Sequence, residues 1–185
     1  MNKVGQVERA TQDRVIKLFT DTLGYEYLGN LKDKEDNKNV ETRLLRKYLR
    51  DRGYSDKLID RALYQLNKAV TNQSESLYSV NKEVYGLLRY GIEVRENIGE
   101  NKQTVKLIDW EEPYNNNFYI EEVTVKGQHT KRPDIALYVN GIALGILELK
   151  RSTVHVAKAI RQNLDNQQSE FIKPFFHTIQ LIMAG

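Results

Sequence analysis

Two β-rich apolar runs, residues 134–139 and 142–150, meet at Asn140-Gly141. Asn-Gly between such runs is a strong hairpin signal, because a two-residue turn matched to strand twist needs positive φ at both central positions. This part of the chain is therefore an antiparallel pair, and no all-helical fold accommodates it. The second run breaks its own pattern. After Ile142, Leu144, Ile146 and Leu147 it ends on Glu148-Leu149-Lys150, and the first run opens on Arg132-Pro133-Asp134. Charges that end an apolar strand are a local inconsistency of the kind expected at functional sites.

Side chains alternate along a strand, so Glu148 and Lys150 share one face and Leu149 points to the other. Leu149 can enter the core while its carbonyl stays available as a metal ligand. Strand parity also constrains Asp134. A regular hairpin with a strict two-residue turn pairs Val139 with Ile142 and Asp134 with Leu147, which places Asp134 and Glu148 on opposite faces. A three-residue loop with Gly141 left-handed pairs Asp134 with Ile146 instead, and Glu148 then lies diagonally on the same face. A bulge near Pro133-Asp134 has the same effect. One such irregularity is expected if the acids act together.

Their chemistry suits Mg²⁺, a hard ion bound by one or two carboxylates with water and phosphate oxygens completing the shell. Asp134 and Glu148 supply the carboxylates. Lys150 is placed to orient or deprotonate a bound water, or to offset developing charge. Glu-x-Lys alone is a common string; Pro-Asp, the hairpin spacing and the apolar lead-in give it weight.

The rest of the chain bounds the architecture. At 185 residues it is long enough for one sizeable core. The net charge of +3 is compatible with nucleic acid without indicating it. Cysteine is absent, which excludes disulfides and thiolate metal sites and fits a cytoplasmic location. The first ten residues lack the apolar core of a signal peptide, and no segment is apolar for long enough to span a bilayer.

Residues 7–23 have helical periodicity, with Ala10, Val15, Ile16, Leu18, Phe19 and Leu23 on a broad apolar face and Gly24 as a stop. Residues 25–28 form a short strand and 30–39 a polar loop. Helices are expected at 40–50, 56–70 with Ser55 as N-cap, and 76–90. Short strands follow at 92–96, 104–109, 118–125, 134–139 and 142–150. A helix at about 154–166 and a strand at 178–183 complete the order. It predicts an α/β or α+β fold with a mixed sheet flanked by helices, and a helical insertion or subdomain at residues 30–90. Tyr114, Phe118, Tyr119 and Trp110 read as core or loop packing. The apolar run ending at Met183, just before Gly185, reads as a chain that continues into a longer protein.

Pro133-Asp134 and Glu148-Leu149-Lys150 form the two halves of the pattern of the PD-(D/E)xK nuclease superfamily. Residues 132–151, with Arg161-Gln162-Asn163-Leu164-Asp165-Asn166-Gln167 and residues 180–185, resemble the N-terminal nuclease domain of the restriction (R, HsdR-type) subunits of type I restriction-modification enzymes. The resemblance implies a restriction-endonuclease-like fold and a Mg²⁺-dependent endonuclease (Mn²⁺ as substitute) that cuts double-stranded DNA. It also implies ATP-driven translocase domains later in the same chain, and methyltransferase and specificity subunits as partners. The sequence has no G-x-x-x-x-G-K-[ST] loop, so ATP belongs to the full-length subunit alone.

Related nucleases carry Q-x-x-x-Y on the helix after the E-x-K strand. Gln162 is the counterpart here, with Asn166 where the tyrosine stands; Gln167 with Phe171 is the other placement. A first-helix glutamate near the metal is also a family feature, and Glu8 is the candidate.

Lys126, Lys131, Arg132, Arg151, Lys158 and Arg161 surround the motif in sequence and are candidates for DNA-backbone contacts. His129, His155 and His177 lack metal-ligand spacing, and no G-x-S-x-G elbow supports a serine hydrolase. The competing readings are a catalytically silent DNA-binding or docking module with a nuclease-like fold, and a stand-alone repair nuclease.

Overall fold

The computed structural model describes residues 8–30, 38–125, 130–150 and 155–185, with Glu8 and Asn30 described in backbone only. The elements are α1 (Glu8–Lys17), β1 (Glu26–Asn30), α2 (Thr42–Asp51), α3 (Asp56–Val70), α4 (Leu77–Tyr90), β2 (Ile92–Val94) and β3 (Gln103–Val105). They continue with β4 (Phe118–Glu122), β5 (Ile135–Val139), β6 (Ile142–Glu148), α5 (Ala157–Asn166) and β7 (Leu181–Ala184). Caps fix the helix starts. The Ser55 hydroxyl accepts from Leu58 N and the Ser76 hydroxyl from Ser79 N, each satisfying a donor of the first turn. No helix among the described residues is long and apolar enough to cross a membrane.

Five strands form a mixed sheet in the order β1-β4-β5-β6-β7. The outer pairs, β1 with β4 and β6 with β7, are parallel; β4-β5 and β5-β6 are antiparallel. The mixed α/β architecture expected from the sequence is present. β2 and β3 form a separate two-stranded ribbon, a division that strand periodicity alone does not disclose. Helices α2 to α4 enter the chain after β1, so they interrupt the sheet rather than precede it.

The sheet is covered on both faces. Val15, Ile16 and Phe19 pack on Ile120, Ile135, Leu137, Leu147 and Leu149. The other face, with Tyr119, Val123, Ala136, Tyr138 and Ile146, meets Ile172, Phe175, Phe176 and Ile179. A third cluster joins α2, α3, α4 and the β2-β3 ribbon to Ile142. The first helix departs from its expected face: Leu18 and Leu23 are about half exposed. They flank a π-helical turn, Leu18–Thr22, after which Gly24 (φ 73°) ends the helix.

Asn140 (φ 53°) and Gly141 (φ 90°) make the two-residue turn between β5 and β6. Asn140 is fully buried. Its Nδ2 donates to the Leu107 carbonyl (2.9 Å) and Asn116 Oδ1 (2.8 Å), and its Oδ1 accepts from Asn117 N (2.8 Å). The turn is thereby tied to residues 107–117, which Asp109 organises. That carboxylate accepts from Asn115 Nδ2 and from the backbone N–H groups of Glu111 and Glu112, and pairs with Arg52 at 3.0 Å.

Gly141 has no room for a side chain: an added Cβ would meet the Glu41 carbonyl oxygen and Leu44 Cβ at 2.8 Å. With the left-handed strain added, Gly141→Ala is expected to lower stability by about 2–4 kcal/mol, read as a shift of the urea midpoint. An effect within about 0.5 kcal/mol would show that this turn is not a fixed point of the fold.

Hydrogen bonds from Asn115 and the 111–112 backbone hold the Asp109 carboxyl below its ordinary value of 3.8. The bonds stabilise the charged, folded form, so their contribution is present above that value and is lost as pH falls through the lower folded value. Asp109→Asn should therefore flatten the acid limb of stability against pH below about 4. An unchanged limb in a pH series of thermal melts would exclude Asp109 as its source.

Candidate functional site

One extra residue in β6 determines where the acids lie. Near the turn, Val139 pairs with Ile142 and Tyr138 with Ala143; beyond it, Leu137 pairs with Gly145, Ala136 with Ile146 and Ile135 with Leu147. Leu144 is the extra residue, so the hairpin has a two-residue turn and a bulge. The irregularity expected on parity grounds is present, but in mid-hairpin rather than at the turn or at Pro133-Asp134. Its position has a cause. The turn end of β6 bonds residues 39–41 (Ala143 N to Asn39 O, Glu41 N to Gly141 O), and the far end pairs with β7. The Leu144 carbonyl, at the changeover, accepts from Gln180 N at 2.8 Å. Gly145 lets Leu137 pass closely, since a Cβ there would stand 3.2 Å from the Leu137 side chain.

Continuing the register by one step sets Asp134 directly opposite Glu148, on the same face as Ala136 and Ile146. Asp134 sits one residue before β5, where its Oδ2 accepts from Leu149 N at 2.6 Å. Its carbonyl accepts from Gln12 Nε2 of α1 at 2.9 Å. Glu148 is buried (1% exposed), and its Oε1 receives the Lys150 ammonium at 2.6 Å. Leu149 packs into the core on the opposite face. The segment is clamped from its other edge: Gly185 N donates to the Glu148 carbonyl (3.0 Å) and Lys150 N donates to the Gly185 carbonyl (2.6 Å). Asp134, Glu148 and Lys150, 16 positions apart in sequence at their widest, thus form one cluster at the end of β5 and β6.

The remaining candidates divide. Glu8 opens α1 one turn ahead of Gln12. Gln162 is half-buried on the flank of α5, whose sheet-facing residues are Ala159, Asn163 and Asn166. Asn163 Nδ2 donates to the Met183 carbonyl at 3.2 Å and so fastens α5 to β7. Lys131 forms a bridge with Val125 and sets its ammonium 3.9 Å from the centre of the Phe171 ring. Arg132, Lys158 and Arg161 are exposed. Lys126, His129 and Arg151 lie outside the described residues. His177 is fully buried; its Nδ1–H donates to the Val70 carbonyl at 2.7 Å, a structural contact, and burial lowers its pKa.

Two buried acids escaped the sequence reading although the same signal marks them, since charge interrupts the apolar run of β4. Glu122 accepts from Arg9 (2.7 Å) and from the Tyr27 hydroxyl (2.6 Å), and desolvation with that bond pushes the Tyr27 phenol up to about 12. Glu121, fully buried, lies opposite Ala136 and shares a face with Asp134 and Glu148. Among the described residues no three Asp, Glu, His or Cys side chains are close enough to hold a metal together. Asp134, Glu148 and the Leu149 carbonyl offer two carboxylates and one backbone oxygen, donors of a kind that suits a hard ion such as Mg²⁺, which would need water and substrate oxygens to complete its shell. A cavity of about 680 Å³ is lined by other residues, among them Arg46, Asn67, Val125 and Phe175.

A mixed sheet with its acids and lysine at the end of a central hairpin is compatible with a restriction-endonuclease-like fold. The chain belongs to the family described as type I restriction enzyme R protein N terminus, whose model matches residues 5–185. No curated protein matches it.

Glu148 and Lys150 are a buried ion pair, and removing one partner of such a pair strands the other charge. Lys150→Met is expected to cost about 3–5 kcal/mol in chemical denaturation. The double variant Glu148→Gln/Lys150→Met should recover more than half of that loss; strict additivity would show that the two charges are not coupled.

Proposed function

We propose that this chain is the DNA-cleaving module of a type I restriction enzyme, hydrolysing phosphodiester bonds of double-stranded DNA with Mg²⁺. The observation that carries the reading is the hairpin end: past the bulge at Leu144, Asp134 accepts from Leu149 N at 2.6 Å, one residue from Glu148, to whose carboxylate Lys150 is bonded. Family membership supports the wider setting of a subunit with ATP-driven translocase domains, working with methyltransferase and specificity subunits.

Asp134, Glu148 and the Leu149 carbonyl would hold the ion. When bound, Mg²⁺ supplies an acidified water and offsets charge on the phosphate. The chain's own residues do the rest. The Leu149 N–H fixes one Asp134 oxygen. Gly185 holds the backbone on either side of Leu149, which sets the direction of its carbonyl. Lys150, bonded to Glu148 at 2.6 Å, would position the attacking water or meet charge developing on oxygen. Lys131, Arg132, Lys158, Arg161 and Arg151 are the proposed backbone contacts, with Gln162 and Glu8 as supporting residues near the metal.

In the assembled enzyme, Asp134→Asn, Glu148→Gln and Lys150→Ala should each lower cleavage of double-stranded DNA at least about 100-fold while ATP hydrolysis continues. Equal loss of both activities would mean misfolding. Full cleavage by any of the three would overturn its assignment. Titration calorimetry with Mn²⁺ gives a separate reading, since heat of binding should disappear in Asp134→Asn.

A further inference from the structure

The outer face of α4 carries a stripe that packing within the chain does not explain. Tyr78, Lys82, Tyr85 and Arg89 follow one another at steps of four, three and four, so they line one side of the helix. The buried side belongs to Val80, Val84 and Leu88. Tyr78 is 75% and Tyr85 47% exposed, and Lys82 and Arg89 are exposed too. The stripe continues onto the neighbouring loop. Arg89 lies over the Trp110 ring, 5.5 Å from its centre, and the indole N–H donates to the Leu88 carbonyl at 2.9 Å, which leaves the ring 47% exposed. Single exposed aromatics are ordinary. Two exposed tyrosines in register on one helix face, continued by Trp110, are not produced by helix propensity, which favours Ala, Glu, Lys or Arg at such positions.

Charge identifies the occupant. Every charged residue within the stripe is a cation. Glu83 falls on the flank that faces α3, and Glu111, beside Trp110, is held by Lys106 at 3.0 Å. Lys82 and Arg89 stand two turns apart, about 10 Å along the helix. Phenol hydroxyls alternate with them, and Lys, Arg and Tyr are all donors to phosphate oxygens. α4 is also fastened to the part of the chain that leads into β7. Asn81 Nδ2 donates to the carbonyls of Phe176, His177 and Ile179, and β7 ends at the Gly185 clamp on Glu148 and Lys150.

We propose that the Tyr78-Lys82-Tyr85-Arg89-Trp110 ridge is a second contact for duplex DNA, gripping the phosphate backbone away from the cleavage cluster. It takes from the DNA-cleaving reading only the choice of polyanion. The ridge reads no sequence; it adds affinity that weakens with salt.

Trp110 is the chain's single tryptophan and so reports on the ridge directly. The 185-residue chain is titrated in EDTA with a 20-base-pair duplex. Saturable quenching of Trp110 emission is expected. In Lys82→Ala/Arg89→Ala, with an unchanged circular dichroism spectrum, the slope of log affinity against log salt should fall in magnitude by about 1.8, two phosphate contacts at about 0.9 each. Tyr78→Phe/Tyr85→Phe should weaken binding several-fold. Duplex binding with silent Trp110, no binding, or an unchanged slope in the double cation variant overturns the proposal. Quenching by polyglutamate as tight as by duplex overturns it too, and assigns the face to an acidic protein. Absence of Mg²⁺-dependent cleavage by the assembled enzyme, with the Trp110 response retained in EDTA, would count against the nuclease reading and leave the ridge standing.

Discussion

The bulge at Leu144 is the constraint on which the site depends. Side chains alternate with a period of two, so the parity of one strand against its neighbour decides which residues meet. Without the extra residue, the Asn140-Gly141 turn would set Asp134 opposite Leu147, and the two acids would face different cores. With it, Asp134 lies opposite Glu148, and the odd-numbered residues Ile135, Leu137, Leu147 and Leu149 all face α1. One insertion therefore serves packing and chemistry together. It also falls where β6 changes partner, from residues 39–41 to β7, so the unpaired ladder position of the bulge is taken up by Gln180.

Much of this was legible in the chain. The Asn-Gly turn, the apolar alternation and the charged end of β6 give the hairpin and the three residues, and parity gives the need for an irregularity. The position of the bulge was not legible, because it follows from a contact between β6 and residues about 100 positions earlier and 36 later, which no local pattern encodes. The helix starts at Ser55 and Ser76 were readable because capping is local. The π turn after Lys17 was not: Leu18 and Leu23 keep helical spacing in sequence, yet both stand about half exposed at its two ends. Glu121 and Glu122 were overlooked for a different reason. They sit inside a run read as strand, and their burial comes from tertiary packing on opposite faces of the sheet, Glu122 against Arg9 of α1 and Tyr27 of β1, Glu121 on the face of Ala136.

The clamp at Gly185 links the outermost strand to the site. Parallel β6-β7 pairing needs a crossover, and α5 provides it, held against β7 by Asn163. The sheet-facing positions of α5 are Ala159, Asn163 and Asn166, small or amide residues rather than large apolar ones. Their amides are suited to bonding strand carbonyls, as Asn163 does with Met183, where a leucine would leave such groups without a donor. Asn166 is likewise one of the buried residues that α5 turns toward the sheet.

The buried pair of Glu148 and Lys150 has a consequence for any ion that binds there. A carboxylate this deep is costly to leave charged without a partner, and the Lys150 ammonium is that partner in the structure. Were a divalent cation held by Asp134 and Glu148, it would supply the positive charge that Lys150 supplies in this structure. Lys150 and Glu148 are two residues apart on one face, with Leu149 anchored in the core between them. That is the arrangement the strand imposes.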